Sequence, residues 1–277
     1  MLNIFLRVAA GTAVFALIVA LAGRFPAAAG LMLTFPALNG LAFILSRRDT
    51  VGPITSTMLW MPLLNGVLCL AYLLLFGLFA TPALATALAW SLAATVALLW
   101  LVLVTRGFVR GGVLLRLQPA YVIAVTAGGL VLTLLWWAFA GTSATEIGGS
   151  RPVLTWQRTL LFALALWLLI VLPPRFRWKD GTSGILSGLP LVALAGLLSV
   201  AQDAAIDLEI RRALLMQMMF GVWLAPAMAV GFIYAMSRLM LRPRAHRLRV
   251  AVVSTGWVLC LATILAAGML LQWLAVH

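Results

Sequence analysis

The feature that most constrains this chain is a succession of apolar runs, many of them twenty residues or longer, separated by short segments carrying Arg, Gly and Pro. A helix of about twenty residues is about 30 Å long, which matches the hydrocarbon core of a bilayer. In water such runs would need a charged surface to cover them, and this chain has none to offer. Charged residues make up 9% of its 277 residues and apolar ones 65%, whereas a soluble domain carries about 25% charged residues. Mean hydropathy is +1.15. These figures exclude a soluble enzyme and a nucleic-acid-binding domain. The runs also lack the polar–apolar alternation of a β-barrel. The expected class is all-α, a polytopic helical membrane protein whose first partner is the lipid bilayer.

Breaks in hydropathy place nine candidate spans at roughly 4–22, 27–46, 53–79, 82–105, 119–140, 157–173, 182–200, 212–237 and 249–274. No connection between them exceeds about 18 residues, so no soluble domain is expected. The first run lacks a small-residue cleavage site and reads as a retained span. The formal charge of +13 comes from scattered cations, 18 Arg and Lys179. That distribution signals topology and not a nucleic-acid partner. One set of connections holds 14 cations and the other 5, which predicts the N-terminus inside and the C-terminus outside. Cys69 and Cys260 lie within apolar runs and read as small buried hydrophobes. His246, in a loop, and His277, at the terminus, offer no haem pair or metal set, so no cofactor or metal is expected.

An internal repeat recurs at an offset of 154. Gly30-Leu-Met-Leu-Thr-Phe-Pro36 matches Gly184-Ile-Leu-Ser-Gly-Leu-Pro190, and Asp49 matches Asp203. The units are 1–105 and 156–277, each of four helices, with a loop and a linker helix in 106–155. Five helices separate the two starts, so the halves have inverted topology. That arrangement recurs in secondary transporters with sites near the midplane.

The stretch Ala29-Gly30-Leu31-Met32-Leu33-Thr34-Phe35-Pro36, followed by the polar break Ser46-Arg47-Arg48-Asp49, resembles the GlpM family of small bacterial four-helix membrane proteins. The likeness covers about residues 1–105, and more weakly 156–275, where Leu189 replaces the Phe. It implies a fused tandem duplication and a place in the bacterial inner membrane. It implies no catalytic residues.

Chemistry can reside where the helices break. Pro36 and Pro190 would each interrupt a helix near mid-bilayer, and Gly30 and Gly184 would let a neighbouring backbone approach. Polar side chains in apolar runs usually face the bundle interior. Candidate substrate-binding residues are therefore Gly30, Thr34, Pro36, Asn39, Asn65, Gly184, Ser187, Pro190 and Gln217. Packing kinks and interhelical hydrogen bonds would explain the same residues. Arg48 with Asp49, and Asp203 with Arg211, form candidate gates at opposite ends, or else solvated loop charges. The run Arg242-Pro-Arg-Ala-His-Arg-Leu-Arg249 suits anionic lipid headgroups on the cytoplasmic side and equally serves as an inside signal. The chain shows no acidic pair, catalytic His or nucleophile motif. The expected function is transport, by a secondary transporter or flippase-like carrier of a small amphipathic or anionic substrate, lipid-linked ones included. The alternative is a non-transporting structural or assembly subunit. The sequence carries no sign of oligomeric state.

Overall fold

The computed structural model describes residues 2–33, 35, 37–46, 48, 51–59, 62, 69, 113–140, 155–157, 159–160, 162–164, 167, 191–201, 203 and 207–276. Regular structure among the described residues is all helical: α1 (Leu2–Ala22), α2 (Pro26–Met32), α3 (Ala37–Leu45), α4 (Val51–Met58), α5 (Val113–Ala140), α6 (Leu191–Ala201), α7 (Leu208–Met240), α8 (Pro243–Arg247) and α9 (Arg249–Val276). Two stretches, Glu209–Met240 in α7 and Arg249–Leu271 in α9, are long and apolar enough to cross a membrane. They coincide with the expected eighth and ninth spans. Shorter apolar stretches, Val8–Ala22 and Pro119–Leu135, lie in α1 and α5. The expected fourth span, and most of the third and sixth, fall outside the described residues.

The expected second span is two helices, and the sequence explains the division. Pro26 opens α2 in its first turn, where a missing N–H costs nothing and the fixed φ is already helical. A proline at position 36 cannot donate to the carbonyl of residue 32, and its ring obstructs that carbonyl. Met32 is where α2 ends. Its carbonyl accepts instead from the Phe35 N–H at 3.0 Å, and the Gly30 carbonyl accepts from the Leu33 N–H at 3.2 Å. The helix resumes at Ala37. At seven and nine residues, neither piece reaches across 30 Å of hydrocarbon.

The central element is α7, with α2, α3, α4, α5, α6 and α9 packed around it. Leu214, Met218, Met219, Val230, Ile233 and Met240 of α7 are almost wholly buried. Every residue of α2 is buried as well, enclosed by α1, α7 and α9. The α2–α7 crossing is backbone against backbone. A Cβ on Gly30 would collide with the Met218 carbonyl oxygen, and one on Gly221 with the Ala27 carbonyl oxygen and, at 2.5 Å, the Leu31 nitrogen. On the far side of α2, Gly268 of α9 abuts Ala28, and Trp257 of α9 lies against Gly40 of α3. Gly129 of α5 sits by the Trp223 carbonyl. Gly196 of α6 meets Ile18 of α1, whose Phe15 stacks on Phe162 at 4.6 Å between ring centroids.

Outside this core the described outer faces of α5 and α9 are apolar. Ile123, Leu130, Val131, Leu134 and Leu135 of α5, and Val258, Leu259, Met269, Leu270 and Trp273 of α9, are exposed. Buried residues make up 72% of the apolar window of α7 but 11% of that of α9. Faces like those of α5 and α9 suit lipid and would form an aggregating patch in water.

Gly221→Leu should therefore force α2 off α7 and abolish monodisperse folded protein in detergent, since overpacking a close contact costs about 1–3 kcal/mol even where side chains can yield. Gly231→Leu, ten positions along the same helix with nothing within 4 Å of its would-be Cβ, should fold. Size-exclusion profiles of the two variants check this.

Candidate functional site

The interruption between α2 and α3 is the most distinctive feature of the interior. It is flanked on one side by the wholly buried α2 and on the other by Asn39, Gly40, Leu41, Ala42 and Phe43, all buried. Phe35 lies between the helices, partly buried against the main core. Non-helical backbone is tolerated at depth in a bilayer only where protein or a water-filled cavity surrounds it.

Of the sequence-derived binding residues, Gly30, Asn39 and Gln217 are described. Gly30 faces the backbone of α7, so the space beside it is filled by Met218 and Gly221. Its role in this geometry is close helix packing. Asn39 lies in the first turn of α3, and Gln217 adjoins Met218 on α7. Each is 6% exposed, and both are engaged in interactions, so neither is free. Thr34, Pro36, Asn65, Gly184, Ser187 and Pro190 lie outside the described residues, as does Asp49.

The two candidate gate arginines, Arg211 and Arg48, lie at opposite ends of α7 and act on helix C-termini. The last carbonyls of a helix have no intrahelical donor and carry partial negative charge. Nη1 of Arg211, in the first turn of α7, donates to the carbonyl of Ala201, the last residue of α6, at 3.0 Å. Nε of Arg48, beyond α3, donates to the carbonyl of Leu241 at the C-terminal cap of α7, at 3.0 Å. Thirty-three residues at 1.5 Å each put about 50 Å between those ends. Asp203 is buried at 4% exposure in the α6–α7 connection, and it too is engaged. Asp207 and Glu209 are exposed at the start of α7, where negative charge suits the helix N-terminus.

Several features carry no local sequence signal. The Tyr121 hydroxyl of α5 donates to the Leu59 carbonyl just past α4, at 2.8 Å, tying two distant segments. Thr12 Oγ1, Trp223 Nε1 and Arg211 Nε are buried without a hydrogen-bond partner. Thr55, Thr133 and Ser237 donate to carbonyls three or four residues back in their own helices, which satisfies their protons locally. His246, expected in a loop, lies in α8. Pro243 starts that single turn at its first position, a local signal that the Arg-rich reading passed over. Among the described residues no group of three or more His, Cys, Asp or Glu is placed to hold a metal ion.

The fold thus defines an all-helical protein with two helices of membrane-crossing length and apolarity, built round one central helix and an interrupted partner. Comparison with family models, curated proteins and solved structures finds no match to this chain.

Arg211→Met should destabilise the protein more than Arg48→Met. The Arg211 bond is part-buried and the Arg48 bond exposed, and hydrogen bonds to charged groups contribute about 1.5–3 kcal/mol, falling towards zero at the surface. Thermal unfolding midpoints of the two variants in one detergent give the order.

Proposed function

We propose that this chain is a membrane carrier, a secondary transporter or flippase-like protein for a small amphipathic or anionic substrate, with two inverted four-helix units in nine spans. The observation that carries the reading is the interruption between Met32 and Ala37, placed among buried residues and braced by α7. Interrupted helices near the midplane are where carriers expose backbone groups to cargo. Asn39, one turn beyond the break, is the polar side chain best placed to meet a substrate there. Gly30 serves by holding α2 against α7.

The duplication rests on register in the sequence. At an offset of 154, Gly30 and Pro36 align with Gly184 and Pro190, and Asp49 aligns with Asp203. The segment that resembles the GlpM family is the one that builds α2 and the break. On that reading the chain is a bacterial inner-membrane protein with α1 and α5 as further spans.

A second reading, a non-transporting subunit of a membrane complex, draws on the tight α2–α7 contact and on the broad apolar face of α9. Cysteine accessibility separates the two. In a Cys69→Ala, Cys260→Ala background, Phe35→Cys should react with a membrane-impermeant maleimide in sealed vesicles of one orientation or both, because a carrier opens its break to water. Complete protection in both orientations, with full labelling after denaturation, would favour the subunit.

Topology has its own test. A reporter active only in the cytoplasm should be silent when fused after His277. Activity there would contradict the nine-span count.

A further inference from the structure

We propose that the corner where α7, α8 and α9 meet is a binding site for the phosphate headgroup of an anionic phospholipid, held by Arg48, Arg242, Arg244 and Arg247. Three observations carry this.

First, the fold gathers cations from two distant parts of the chain. Arg48 reaches the Leu241 carbonyl at 3.0 Å, which places it at the residue where α7 gives way to the Arg-rich turn. Arg242 caps α8 in extended backbone, and Arg244 and Arg247, three apart on that helix, share a face. All four are exposed. Arg249 is differently engaged, since its Nη1 lies 3.3 Å from His246 Nε2.

Second, no described carboxylate lies among them. Among the described residues the carboxylates are Asp203, Asp207 and Glu209, all towards the other end of α7. Asp49, the sequence neighbour of Arg48, would offset only one of the four arginines.

Third, the cations stand beside exposed apolar side chains. Leu241, Leu248 and Val250 are 41%, 64% and 59% exposed, and Arg249 begins a helix of membrane-crossing length. A free phosphate ion would gain nothing from those neighbours, whereas a lipid places its phosphate and its acyl chains at this junction. Guanidinium groups match phosphate oxygens in pairs.

The site does not depend on the carrier reading, and a binding measurement tests it without transport. Full-length protein in neutral detergent is titrated with fluorescent phosphatidylglycerol, with phosphatidylcholine carrying the same fluorophore, and with inorganic phosphate as competitor. Phosphatidylglycerol should bind about tenfold or more tightly than phosphatidylcholine, the preference should shrink as salt rises, and phosphate should compete poorly. Arg244→Gln with Arg247→Gln should remove most of the preference at an unchanged unfolding midpoint, whereas Arg24→Gln, exposed between α1 and α2, should leave it intact. Equal binding of the two lipids, a preference indifferent to salt, or a preference that survives the double substitution would overturn the proposal. Phosphate competing as well as the lipid would overturn the lipid assignment.

Discussion

The structure depends on one close contact, that between Gly30 of α2 and Gly221 of α7. A seven-residue helix has almost no stability of its own, because nucleation costs more than so few hydrogen bonds return. α2 persists because it lies with its backbone directly on that of α7, where Gly30 and Gly221 bring no Cβ between them. Gly268 and Ala28 close the opposite side. In lipid, where apolar burial no longer drives helices together, such van der Waals contact between small residues is the main adhesive. Once α2 is fixed, the break after Met32 is fixed too, and with it the start of α3 and the position of Asn39.

The ends of α7 are held by charge. Arg211 meets the C-terminus of α6 at one end, and Arg48 meets the C-terminus of α7 itself at the other. The three described acids gather near the start of α7, and cations follow its end. This polarity agrees with the helix dipole, and it gives the molecule one end rich in arginine and one containing the described carboxylates. A carrier could use such ends as gates. In this geometry the two arginines already serve as caps, so a gate would have to release a helix terminus as it opened.

Part of the helical layout was legible in the sequence. The run 212–237 falls inside α7, which extends three or four residues further at each end, and 249–274 falls in α9, which starts at the same residue and runs on to Val276. A break between Met32 and Ala37 is what the missing N–H of a proline at position 36 predicts, and the close approach at Gly30 is what its missing side chain predicts. Gly30's partner did not follow. Nothing in the residues around Gly221 distinguishes it from Gly231, which faces open space. A helix crossing is a relation between distant segments, and local composition records only one side of it. For the same reason Arg48 and Arg211 read as gates or loop charges, because their carbonyl acceptors at Leu241 and Ala201 are set by tertiary packing. The role of α7 as the hub was hidden too, since hydropathy marks a helix as apolar without saying whether lipid or protein covers it.

Disulfide trapping of α2 on α7 tests the account most directly. Ala27 and Phe220 lie in one buried cluster, 1% and 4% exposed. With Cys69 and Cys260 replaced by Ala, the pair Ala27→Cys and Phe220→Cys should lose both titratable thiols under mild oxidation in native membranes and form an internal link. The same pair staying fully reduced, with each single cysteine variant folded, would contradict the placement of α2 and everything that rests on it.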